Sequence, residues 1–266
     1  MWGTADFFGG LTSRRLPALA VYGWSQLFGL FALVMAVIIT GSWQSSMGYL
    51  PWSIAGSLAG IVGMYSFYRA LAIGPMGIVS PLVALSVVIP VGFGLLRGEL
   101  PTSIQILGIL IAVVGVLLAS GPELGGSGSM RPLAYSAVAL ICFGIMFVTI
   151  SEGSKVNALM TMTGMRATSM VLFAAIIIVA RNVGGVTARD LPVLAAIGLL
   201  DAAANVTFGV ASTMGLLSTT SVLGSLYPVV TALLAAIVLH ERLKLVQYVG
   251  VGAAMVGVVL LSAGGA

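Results

Sequence analysis

Charge is what this sequence has least of. Eleven lysines and arginines and seven aspartates and glutamates are all the formal charge in 266 residues, 7% of the chain. A water-facing domain carries about a quarter charged residues, so a conventional solvated surface is excluded. Histidine occurs once and cysteine once. Cys142 lies inside an apolar run, which leaves neither a disulfide framework nor metal-ligand spacing. No nucleophile motif is present, and Gly125 to Gly128 lacks the Lys-Ser/Thr that completes a phosphate-cradling loop. ATP hydrolysis by this chain is therefore excluded, an enzyme is not expected, and no cofactor or metal is expected. No basic leader precedes the first apolar stretch, so no cleavable signal is expected either.

What remains is apolar. Hydrophobic residues make up 59% of the chain, mean hydropathy is +1.16, and 35 glycines suit helices that approach closely. The net charge of +4 does not point to nucleic acid, because the basic residues are scattered at segment ends. Runs near 1–13, 17–40, 52–73, 77–96, 102–120, 132–151, 157–180, 190–211, 217–238 and 244–263 predict an all-α integral membrane protein of about ten helices. The first run is short, with 13 residues before Arg14-Arg15, so either a short first helix or an upstream start is expected.

The longest polar gap, Gly121 to Arg131, falls near the middle and invites a test for repetition. A shift of 142 aligns Glu99 to Ser120 with Glu241 to Ser262. Nine of 22 positions match, among them Glu99/Glu241, Gln105/Gln247, Gly108/Gly250, Ala112/Ala254 and Gly115/Gly257. Upstream, a shift of 141 matches Phe67/Phe208, Ala70/Ala211, Gly74/Gly215 and Ser80/Ser221, and lays Trp2-Gly3 over Phe143-Gly144. Two repeats, 1–121 and 131–266, are expected. Five spans is an odd number, so the halves should face opposite ways across the bilayer, as in carriers whose site lies at the repeat interface.

Ser225-Leu-Tyr-Pro-Val-Val, His240-Glu241-Arg242-Leu243 and Gln247-Tyr-Val-Gly250, together with the opening Trp2-Gly3 and Phe7, resemble the drug/metabolite transporter superfamily in its EamA-type branch. The resemblance covers the whole chain. In the first half Ser86 stands where the second has Pro228, and Pro90 follows four residues later, which leaves two places open for that half's helix break. The resemblance implies a secondary carrier exporting a small amino-acid-like metabolite or drug-like compound, with small-molecule substrate and membrane lipid as partners. It implies a bacterial inner membrane, and a homodimer is left open. Solute uptake, a channel-like facilitator and a lipid-modifying membrane enzyme are the rivals, the last weakened by the single histidine.

Polar groups inside spans are the site candidates, because each is costly in lipid. Asp201 is expected as proton carrier or cation ligand, with Asn205 and Phe208 on its helical face. Arg166 is expected either to neutralise Asp201 or Glu152, to receive an anionic group, or to snorkel. Asp6, Tyr65 and Tyr68 are candidate lining residues, with Arg69 snorkelling, and Tyr227-Pro228 and Pro90 are candidate kinks. Glu99 and Glu241, beside Arg97 and Arg242, are expected to close short turns through local ion pairs. Connector charges Arg14, Arg15, Arg131, Arg181, Arg189, Arg242 and Lys244 against Arg97 and Lys155 would put both termini outside, whereas the resemblance puts them inside.

Overall fold

The computed structural model describes residues 1–74, 79, 82–119, 130–180, 184–238 and 245–263. Among these no strand occurs, and the chain runs as α1 (Trp2–Ser13), α2 (Ala18–Thr40), α3 (Leu50–Ile73), α4 (Val88–Leu96), α5 (Ser103–Ala119), α6 (Arg131–Ala180), α7 (Leu191–Met214), α8 (Leu217–Gly224), α9 (Tyr227–Val238) and α10 (Leu245–Ala263). Among the described residues four stretches are long and apolar enough to cross a membrane on their own: Ala18–Thr40, Met47–Ile73, Arg131–Ala175 and Leu191–Met214. Large apolar side chains face outward, Phe31 and Val171 at 70% exposure and Ile39 at 79%. Such a surface is unstable in water and matches hydrocarbon.

At 50 residues α6 would be about 75 Å long if straight, more than twice the hydrocarbon core. It is divided at Asn157, whose backbone is extended (φ −166°, ψ 118°). The Asn157 side-chain oxygen accepts from the Met160 backbone N–H at 2.9 Å, which caps the second arm in the usual Asn fashion. Its amide donates to Ser45 at 2.8 Å and ties the break to the loop after α2. The apolar pattern leaves residues 152–156 between two spans. In the structure they are helical, because the cap at Asn157 lets the first arm run to its edge.

Small residues set the packing. Along α3, Ser53, Gly56, Ser57, Gly60 and Gly63 form one face laid between the two arms of α6. Ser53 donates to the Thr161 carbonyl at 3.0 Å, Gly56 meets Thr149 and Met165, and Gly63 meets Phe143. Gly198 of α7 abuts the Ser25 carbonyl of α2, so no side chain fits there. Gly41 (φ 68°) ends α2 in the left-handed region, and Gly74 and Gly215 end α3 and α7 with extended backbone.

Repeat-related residues make exchanged contacts. Trp2 packs at a tilt on Phe208 with centroids 5.6 Å apart, and Phe143 meets Phe67 edge-on at the same 5.6 Å. Gly3 packs on Val230 and Thr231 of α9, and Gly144 packs on Ile89 of α4. The opening helix of each half thus lies on the fourth apolar segment of the other half or its equivalent. The break in the first half falls at the 3₁₀ turn Leu85–Val87, which contains Ser86, while Pro90 sits inside α4. In the second half the break falls at Ser225-Leu226, and Pro228 is the second residue of α9.

Candidate functional site

Arg166 is buried where the second arm of α6 meets α2 and α7, and it holds two partners. One guanidinium nitrogen donates to the Asp201 carboxylate at 2.6 Å, and the other donates to the Gln26 side-chain oxygen. Their side chains are 8% and 15% exposed, so this is an interior ion pair rather than a surface one. Asn205, one turn beyond Asp201, donates to the other carboxylate oxygen at 3.0 Å and to the Asp201 carbonyl at 2.8 Å. The Asn205 side-chain oxygen is buried and makes no hydrogen bond within the described protein.

These groups line a narrow cavity of about 30 Å³ between α2, α3, α6 and α7. Tyr22, Ser57 and Ser169 form a hydroxyl chain on one wall, Tyr22 to Ser169 at 3.1 Å and Ser57 to Ser169 at 2.9 Å. Met64, Met146, Met162 and Met165 form the rest, a soft apolar wall that adapts to different shapes. Opposite the charged wall, Gly60 and Met64 of α3 occupy the places that Asp201 and Asn205 occupy in α7 at the 141-residue shift. Arg166 likewise falls over Ser25, and Asp6 over Phe147. The scaffold repeats and these interior charges do not.

Of the expected residues, Asp201, Asn205 and Arg166 come together here, and the Arg166 partner is Asp201 rather than Glu152. Glu152 instead binds Lys155 at 2.6 Å, with Arg97 4.0 Å away. Asp6, Tyr68 and Tyr227 are buried in a neighbouring cluster between α1, α3 and α9. Tyr65 lies outside both groups, 38% exposed and edge-on to Tyr135 at 6.4 Å. Arg69 borders an outer groove with Arg131 and Tyr135. Gln26, Tyr22, Ser57, Ser169 and the four methionines had no signal in a single sequence, since neutral residues inside apolar runs look like scaffold.

Glu99 corrects the local-turn expectation. Its carboxylate does not pair with Arg97 but accepts the backbone N–H groups of Leu217 at 2.7 Å and Ser218 at 3.0 Å. A helix N-terminus presents unpaired donors and a positive dipole end, which is what a carboxylate satisfies. Glu99 therefore caps α8, in the other half of the chain, and Arg97 lies over the Phe93 ring. Glu241, His240 and Arg242 lie outside the described residues. At another connector, Arg15 binds Asp190, and the Thr187 backbone and hydroxyl donate to it at 2.9 and 2.8 Å. The Arg15 guanidinium first, then Thr187, holds the Asp190 carboxyl down at about 2.

The EamA-like transporter family model matches residues 1–121 and again 130–263. The chain belongs to the EamA-like transporter family. Members of that family are membrane transporters of the drug/metabolite type, not enzymes, so this EamA-like chain is an integral membrane transporter. A crystal structure of a protein superposes with a TM-score of 0.75 at 17% identity, over 97% of this chain and 94% of the other, which fixes the fold. No curated protein sequence matches the chain.

Proposed function

We propose that this EamA-like protein is a ten-span secondary carrier that exports a small zwitterionic metabolite, amino-acid-like with an apolar side chain. Ten spans follow if α6 supplies two around Asn157, Leu82–Leu96 belongs to one, and α8 with α9 form one broken span. The observation that carries the solute class is the buried Arg166–Asp201 pair opening on a methionine wall. A guanidinium fork matches a carboxylate, and Asp201 with the unpaired Asn205 oxygen matches an ammonium. The methionines, unbranched and adaptable in shape, suit an apolar side chain. The two family repeats as inverted five-helix halves would expose this cavity to each side in turn.

The test is counterflow in proteoliposomes loaded with a mixture of neutral amino acids. Expected are exchange of those with aliphatic side chains and its loss in Arg166→Lys, which keeps the charge and removes the fork. Exchange of amines that lack a carboxylate, undiminished by Arg166→Lys, would sink the zwitterion reading. A drug-like solute is the second reading, favoured by the same four adaptable methionines.

A further inference from the structure

The outer flank where α3 meets the first arm of α6 holds two arginines that the cavity does not use. Gly74, which ends α3, lies against Pro132 at the head of α6, so the last turn of one helix stands beside the first turn of the other. Arg69 and Arg131, both exposed, therefore enter one groove of about 560 Å³, shared with Ile73, Pro132, Tyr135 and Val138. Inward from Arg69 an exposed stripe of α3 runs through Tyr65 and Val62, and inward from Arg131 a stripe of α6 runs through Val138 and Ile141. The spacings keep each stripe on one helical face, and these four side chains are 38–53% exposed. Tyr65 meets Tyr135 edge-on at 6.4 Å, which joins the two stripes near the arginines.

No described carboxylate lines this groove. Asp190 is held by Arg15, Asp201 by Arg166, Glu152 by Lys155, and Glu99 by the head of α8. Arg69 makes no hydrogen bond or ion pair among the described residues. It lies one turn from the end of α3, and Arg131 opens α6, so both stand at headgroup depth rather than in hydrocarbon. A guanidinium fork matches a phosphodiester, and basic pockets between spans at this depth suit anionic headgroups. The ammonium of a zwitterionic headgroup would meet two cations there and no acid.

We propose that the α3–α6 groove binds one anionic glycerophospholipid, its phosphodiester held by Arg69 and Arg131 and an acyl chain laid along the two stripes. Tyr135 offers its hydroxyl to the headgroup oxygens. A free phosphate would satisfy the arginines and leave the apolar stripes unused, whereas a phospholipid uses both. Arg69 belongs to the first family repeat and Arg131 to the second, so the lipid bridges the halves. It sits across a seam whose inner face, at Gly60 and Met146, borders the cavity. The site requires only that the chain lies in a membrane and is independent of the solute carried.

The full chain in detergent is offered equimolar phosphatidylglycerol and phosphatidylethanolamine with the same acyl chains, and retained lipid is read by native mass spectrometry. Expected is one phosphatidylglycerol per chain, in preference to phosphatidylethanolamine. Arg69→Gln and Arg131→Gln should each lower its retention about fivefold, and the double variant about thirtyfold. Arg14→Gln, at an exposed arginine outside the groove, should leave retention unchanged. Glycerol 3-phosphate, which lacks acyl chains, should fail to displace the lipid. Parent and double variant should melt together without lipid, and phosphatidylglycerol should raise the Tm of the parent alone. Equal retention of both lipids by the parent, or a preference that survives the double substitution, overturns the site. A loss as large in Arg14→Gln would reveal a diffuse charge effect and overturn it too. Displacement by glycerol 3-phosphate would make the groove a phosphate site and remove the lipid.

Discussion

Gly115 of α5 lies against the Ala254 backbone of α10, and the exchanged pair repeats it, Gly257 against the Ala112 backbone. The four residues form two repeat-related pairs, so each helix offers its partner the same small face, as across a two-fold axis. A methyl group at either glycine meets backbone, which cannot yield. Gly115→Ala and Gly257→Ala should each destabilise the protein by about 1–3 kcal/mol. Gly252→Ala, where nothing lies within 4 Å, should not. Melting in detergent checks all three, and an unchanged Tm in both core variants would contradict the packing.

Breaking the buried pair should cost far more than neutralising it. Arg166→Ala leaves Asp201 buried without a cation, which typically costs about 3–5 kcal/mol, while the double variant Arg166→Met, Asp201→Leu should recover most of that. The measurement is thermal stability of each variant in the same detergent. A double variant no more stable than Arg166→Ala would deny the pairing.

Asp190 makes a pH prediction. Its folded value, near 2, lies below that of an ordinary aspartate, so the unfolded chain takes up the proton first as pH falls. The stabilisation is complete above about 4 and disappears as pH falls toward about 2. The Tm gap between the parent and Asp190→Asn should therefore be widest near neutrality and close over that window. A gap that stays constant with pH would remove the Arg15 and Thr187 contacts from the account.

Glu99→Ala should weaken the start of α8 by about 0.5–2 kcal/mol, the usual worth of a helix cap, and Glu99→Gln should lose only part of it. Cysteines placed at Leu217 in both backgrounds report the local opening through their labelling rate. Equal rates with and without Glu99 would show that the cap is not felt.

The sequence made the scaffold legible because the scaffold repeats. Phe67 and Phe208, or Gly115 and Gly257, are found by sliding one half over the other, and the structure joins those same residues across the halves. Asp201, Asn205 and Arg166 were legible for a different reason, the cost of polarity in lipid. Gln26, Ser57 and Ser169 obeyed neither rule. Glu99 was misread because adjacency to Arg97 is a one-dimensional cue, whereas its partners lie 118 and 119 residues away. The apolar pattern ends one span at 151 and opens the next at 157, whereas the helix runs on to Asn157, because the capping that makes the break sharp depends on the rotamer of one side chain.

The mismatch of charges between the halves has a thermodynamic meaning. If two inverted halves were identical, trading their conformations would turn an inward-open molecule into its own image, and both orientations would be equally populated. Asp6 opposite Phe147, Asp201 opposite Gly60 and Arg166 opposite Ser25 lift that degeneracy. In the proposed carrier of inverted halves, the unloaded protein would then rest with one mouth open by preference. Substitutions at these few positions would tilt that preference, much as a weight on one pan sets a balance.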